Sequence, residues 1–89
     1  MADRDAEKRI MQRLLRAQGQ LNAVIRAVEA QKPCRDVITQ LAATTKALES
    51  AGVLMISNAM HECLSDPEAG LRHGEPTAQD FEKMFLMLA

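Results

Sequence analysis

Eighty-nine residues suffice for one domain and leave no room for a second hydrophobic core. The chain is 47% hydrophobic and 26% charged, the balance of a folded domain rather than a disordered tail, and two Phe with no Tyr or Trp argue against a single-strand binder built on stacked rings. The net charge of −1 conceals a split: residues 1–46 carry nine Lys and Arg against five Asp and Glu, whereas residues 47–89 carry two against seven.

The first predicted helix covers residues 5–30. Ile10, Leu14, Ala17, Leu21, Val24 and Val28 recur at alternating spacings of four and three, an amphipathic seam that Leu15 and Ile25 widen. Gly19 lies within this pattern at a cost of about 1 kcal/mol relative to Ala, which predicts close backbone packing or a contact at that point. Beside the apolar seam runs a polar one of Arg9, Arg13, Arg16 and Gln20.

Gln31, Lys32 and Pro33 break the pattern, and Pro33 is expected at the first position of a second helix covering 33–64. The seam of this helix is Leu41, Thr45, Leu48, Gly52, Met55, Ala59 and Cys63, with Gly52 the one point at which the helix could divide. Residues 65–76 hold two Pro and two Gly and read as a loop. Thr77 and Asp80 have capping-box spacing and open a third helix, 77–88, with Phe81, Met84, Phe85 and Leu88 on one face. Strand-like alternation is absent, so the expected class is all-α with three helices per protomer.

Length bears on assembly. The long second helix spans about 46 Å, whereas a compact domain of this size is about 30 Å across. Its seam would project into water from any monomer. Antiparallel pairing of two long helices, giving a four-helix-bundle homodimer from two hairpins, removes the mismatch. No apolar run approaches the ~20 residues of a membrane span, and residues 1–9 lack the apolar core of a secretion signal. The expected setting is cytoplasmic, with both cysteines as thiols.

Cys34 and Cys63 are 29 residues apart, about 20° beyond eight full helical turns, so they share a face while lying about 43 Å apart along it. They cannot meet within one helix. In an antiparallel pair centred between Leu48 and Glu49, Cys34 of one protomer faces Cys63 of the other, twice per dimer. Cys34, in the first turn beside Lys32 and Arg35, is expected to be the attacking thiolate, and Cys63, beside Glu62 and Asp66, the resolving one. His61 points about 200° away from Cys63 and cannot share an ion with it. His73 falls in the predicted loop. Met11, Met55, Met60, Met84 and Met87 fit core filling better than a copper box. No catalytic constellation is present, and the chain is not expected to be an enzyme.

Arg13 followed six residues later by Gly19 and Gln20, then the run from Cys34 to Ala43, then a second Cys 29 residues after the first, resembles the copper-sensitive operon repressor family (CsoR/RcnR/FrmR type) over residues 4–88. The resemblance implies an all-α homodimer that pairs into a tetramer, binds double-stranded operator DNA without a helix-turn-helix, and releases it on meeting an inducer. Copper-sensing members carry a His four residues before the second Cys; here that residue is Ala59. Two Cys without the His resemble the persulfide-sensing (CstR-like) branch, which implies Cys34 and Cys63 as sensing thiols cross-linked between protomers by reactive sulfur species, with no cofactor. The alternative within the family is a Cu(I) sensor that uses Cys34 and Cys63 as ligands. By resemblance, Arg13 contacts DNA, and Arg9, Arg16 and Gln20 continue its face. A second family Arg falls at Ser50 here, where Lys46, one turn earlier, is the expected substitute. From other classes come a thiol enzyme acting through Cys34 and a structural bundle that binds a protein partner.

Overall fold

The computed structural model describes residues 4–65 and 77–89. Within them the chain forms three α-helices, α1 (Arg4–Glu29), α2 (Cys34–Ser65) and α3 (Ala78–Leu88), with no strand among the described residues. The predicted bounds hold to within one residue, and α2 runs through Gly52 undivided. Residues 66–76 of the predicted loop, including His73, lie outside the described residues.

The turn between α1 and α2 is a Schellman motif. Lys32 N–H donates to the Ala27 carbonyl at 3.0 Å and Gln31 N–H to the Val28 carbonyl at 3.1 Å, with Gln31 in the left-handed region at φ 55°. Pro33 stands one position earlier than expected: it precedes the helix, and its carbonyl accepts from Asp36 N–H at 2.9 Å and Val37 N–H at 3.2 Å. Cys34 therefore opens α2.

The antiparallel α1–α2 hairpin buries a narrow stripe. Ala6, Ile10, Ala17 and Val24 of α1 face Thr44 and Ala51 of α2, mostly small residues that permit close helix approach. Thr44 buries its hydroxyl by donating to the Gln40 carbonyl at 2.9 Å. This stripe corrects the predicted seam of α1. On α1 the buried line is turned toward the polar seam, leaving Leu21 at 45% and Val28 at 59% exposure. On α2 the predicted seam lies away from α1, as expected of a line that one protomer leaves in water: Leu41, Thr45 and Leu48 are exposed, Leu48 at 50%. This helix carries two parallel lines of small and apolar residues, and helical periodicity alone does not say which one α1 takes. Close packing at Gly19 is not found within the protomer, where an added Cβ would meet nothing within 4 Å.

The hairpin consequently has two unlike sides. On α1, Met11, Leu15, Leu21 and Ile25 flank the buried stripe on one side, and Arg9, Arg13, Arg16 and Gln20 flank it on the other. On α2, Ile38, Leu41 and Leu48 lie on one flank, Lys46 and Ser50 on the other. Because the helices are antiparallel, the two apolar flanks fall on the same side of the hairpin.

The third helix covers the C-terminal half of the apolar side of α2. Phe81 is buried, and Leu88 seats on Gly52, where an added Cβ would lie 2.7 Å from a Leu88 methyl. The predicted capping box holds: Thr77 Oγ1 accepts from Asp80 N–H at 3.2 Å, and Thr77 N–H donates to Asp80 Oδ2 at 2.9 Å. These hydrogen bonds from Thr77, backbone first, hold the Asp80 carboxyl below its ordinary value, with the Lys83 charge adding to the effect. No described helix is long and apolar enough to cross a membrane.

Two outcomes follow from these local structures. Gln31→Gly relieves the left-handed backbone and raises unfolding free energy by about 1 kcal/mol, read from the urea midpoint. The depressed Asp80 carboxyl stabilises the start of α3 above its unfolded value and ceases to do so as pH falls through the folded one. Thermal unfolding of the wild type should thus lose stability below about pH 4 relative to Asp80→Asn, which lacks the titrating group.

Candidate functional site

The basic side of the hairpin is a groove of about 410 Å³ between α1 and α2, lined by Arg13, Arg16, Gln20, Ala43, Lys46, Ala47 and Ser50. Its layout follows from the turn. Reflection about Gln31 and Lys32 places Arg13 opposite Ser50, Arg16 opposite Ala47 and Gln20 opposite Ala43. The small Ala43 and Ala47 leave the depression, and the longer basic side chains form its walls. A second hollow of about 290 Å³, lined by Arg9, Gln12, Arg13 and Arg16, continues it along α1. The structure therefore brings Arg9, Arg13, Arg16, Gln20 and Lys46, all five residues singled out from sequence, onto one continuous surface.

Two features of this surface were not legible from residue types. Arg13 Nη1 donates to Ser50 Oγ at 2.8 Å and reaches the Ser50 carbonyl at 3.4 Å. Ser50 thus orients the Arg13 guanidinium rather than merely marking a missing charge. Gln20 lines the groove, and its Oε1 is buried without a hydrogen-bond partner among the described residues. Reflection about the turn would have found the Arg13–Ser50 pairing; no sequence signal marks the unpaired amide.

The thiols occupy the other side. Cys34 is exposed at the first position of α2, and Cys63 is half-buried one turn from the end of the same helix. Both are free, and about 43 Å of helix separates them, so one protomer does not bring them together. Cys63 lines a cavity of about 240 Å³ with Met60, Leu64, Ala78 and Phe81. Ala59 faces an adjacent apolar groove of about 460 Å³ that also holds Met55, Met84 and Leu88. His61 is exposed. Among the described residues of the protomer, no three His, Cys, Asp or Glu side chains gather in a way that could hold a metal ion. Any site that uses both thiols needs a second chain.

Removing the Ser50 hydroxyl leaves the helices intact and frees the guanidinium. Ser50→Ala should keep the circular dichroism of the wild type while lowering stability by less than about 1.5 kcal/mol, as expected for one exposed hydrogen bond.

Comparison with known proteins identifies the family. The copper-sensing transcriptional repressor CsoR of Mycobacterium ulcerans (strain Agy99) is 36% identical over 61 residues, 68% of this chain and 52% of that protein. The copper-sensing transcriptional repressor RicR of Mycobacterium tuberculosis (strain ATCC 25618 / H37Rv) is 36% identical over 53 residues, 60% of this chain and 55% of that protein. The chain spans about half the length of these curated relatives. No solved structure matches. The family and both relatives are transcriptional repressors and not enzymes, in keeping with the expectation of no active site. A match to the metal-sensitive transcriptional repressor family covers residues 6–87, nearly every helical residue described above, and the chain belongs to that family.

Proposed function

We propose that this chain is a repressor that holds operator DNA on its basic side and senses its inducer through Cys34 and Cys63 of opposite protomers. The observation that carries the proposal is the division of one hairpin into a basic groove and an apolar, thiol-bearing flank. The groove residues Arg9, Arg13, Arg16 and Lys46 supply salt-dependent phosphate contacts, and Gln20 continues their face. Few groups are placed to read base edges, which favours readout of DNA shape. A DNA ligand sets the protein in the cytoplasm.

The apolar flank supplies the assembly. Ile25, Ile38, Leu41 and Leu48 are exposed on this flank, and apolar side chains grouped on one face favour burial against a partner. Antiparallel pairing centred between Leu48 and Glu49 covers it and brings Cys34 of one protomer to Cys63 of its partner. Pairing of two such dimers into a tetramer, as the family resemblance implies, would align several basic grooves along one duplex.

The inducer reading best supported by the comparisons is Cu(I), because both relatives are named as copper-sensing. That reading was the alternative in the sequence. Thiolates are soft donors suited to Cu(I), which bound there would tie the start of one α2 to the end of the other. The chain's own part is to transmit that tie. Each α2 carries a thiol flank and a groove wall, so a change in helix pairing shifts the basic residues relative to the DNA. A 100-fold loss of operator affinity needs about 2.7 kcal/mol of coupling.

A second reading, put first by the sequence, is favoured by Ala59, which offers no ligand where copper-sensing members have His. Here a low-molecular-weight persulfide, RSSH, oxidises the thiol pair. Cys34 thiolate takes the outer sulfur and releases the thiol RSH, and Cys63 then attacks the Cys34 sulfur and releases hydrogen sulfide. The net products are one disulfide, one RSH and one hydrogen sulfide.

Three measurements decide these points. Arg13→Ala should weaken binding to the DNA flanking its own gene at least about tenfold and lower the salt slope by about one for each phosphate left without its cation; Ser50→Ala should lower affinity less, by about threefold. Stoichiometric Cu(I) should release that DNA while intact mass stays that of the unmodified chain. A DNA complex indifferent to Cu(I) but dissolved by glutathione persulfide, with a covalent dimer on the non-reducing mass spectrum, would transfer the assignment to reactive sulfur.

A further inference from the structure

We infer that Met60 supplies the third sulfur donor of a soft-metal site whose other donors are Cys63 and Cys34 of the partner subunit. The inference rests on the Cu(I) reading above and gives that reading the donor it lacks. Two thiolates alone leave Cu(I) one ligand short of a trigonal set, and Ala59 carries no donor atom.

The cavity between the last turn of α2 and the first turn of α3 shows what stands in its place. Met60 and Cys63 are three residues apart and therefore neighbours on one helix face, and both line this cavity of about 240 Å³. Its remaining walls, Leu64, Ala78 and Phe81, are aliphatic and aromatic carbon apart from backbone. The side-chain donors that open onto it are thus one thiol and one thioether, both soft. Such a set selects Cu(I) over hard cations. Met60 and Cys63 are both half-buried, so neither is sealed from a donor supplied by a second chain. His61 is exposed and two residues from Cys63, on the opposite face of the helix, and does not compete.

Met60 has an ordinary structural use as well, since it lines the same cavity as Phe81 and could serve there only as apolar filling. Met60→Leu separates the two, since it keeps the volume and apolar character while deleting the donor. The test uses the full chain, loaded anaerobically with Cu(I) in competition with a chromogenic Cu(I) chelator, together with X-ray absorption at the copper edge. The wild type should show three sulfur neighbours. Met60→Leu, with unchanged circular dichroism and oligomeric state, should show two and bind about 10–100-fold more weakly. Cys63→Ser should lose tight binding altogether. Equal affinity and an equal sulfur count in wild type and Met60→Leu would make Met60 a packing residue and leave the Cu(I) reading standing. Failure of the wild type itself to outcompete the chelator would overturn that reading and this inference with it.

Discussion

Register between α1 and α2 is fixed at the turn and along the line of small residues that follows it. Gln31 accepts a left-handed backbone so that Lys32 and Gln31 can satisfy the carbonyls of Ala27 and Val28. Ala17, Thr44 and Ala51 then allow the two helices to approach closely enough for their flanks to form continuous surfaces. Slip by one residue would rotate α2 by about 100° against α1 and take Lys46 and Ser50 away from Arg13. The basic groove and the outward position of the thiols both depend on this register.

A hairpin built in this way has little interior. Its buried apolar residues are few and mostly small, and no large side chain is wholly enclosed among those described. Many large apolar side chains lie exposed, and α3 covers part of the apolar side of α2 through Phe81 and through Leu88 over Gly52. In the proposed reading the rest is covered by a second copy, so folding and assembly draw on the same surface. The same reading explains why sensing chemistry belongs there. A bond or ligand formed across that interface acts directly on the contact that orders the bundle, and the stiffness of a 32-residue helix carries the change to the opposite side.

The net charge of −1 is also better understood on the folded chain. Arg9, Arg13, Arg16 and Lys46 converge on one face, so a nearly neutral protein presents a locally basic surface. Ser50, where the family resemblance places a second Arg, contributes through geometry: its hydroxyl and carbonyl take the Arg13 guanidinium and set its direction. One charge is absent, and the neighbouring one is better ordered.

Sequence by itself determined the three helices and their ends to within a residue, the capping box at Thr77, the shared face of Cys34 and Cys63, and the polar seam of α1. These are local or periodic properties, governed by hydrogen bonding within a few residues and by the 100° helical step. Tertiary structure alone decided which of two adjacent apolar lines on α2 meets α1, that Gly19 faces open space while Gly52 receives Leu88, and that Met60 shares a cavity with Cys63. Those choices depend on helix-to-helix distance and on which side chains are small at the crossing. Both are properties of pairs of segments far apart in the chain, and they are settled only when the turn has placed one helix against the other.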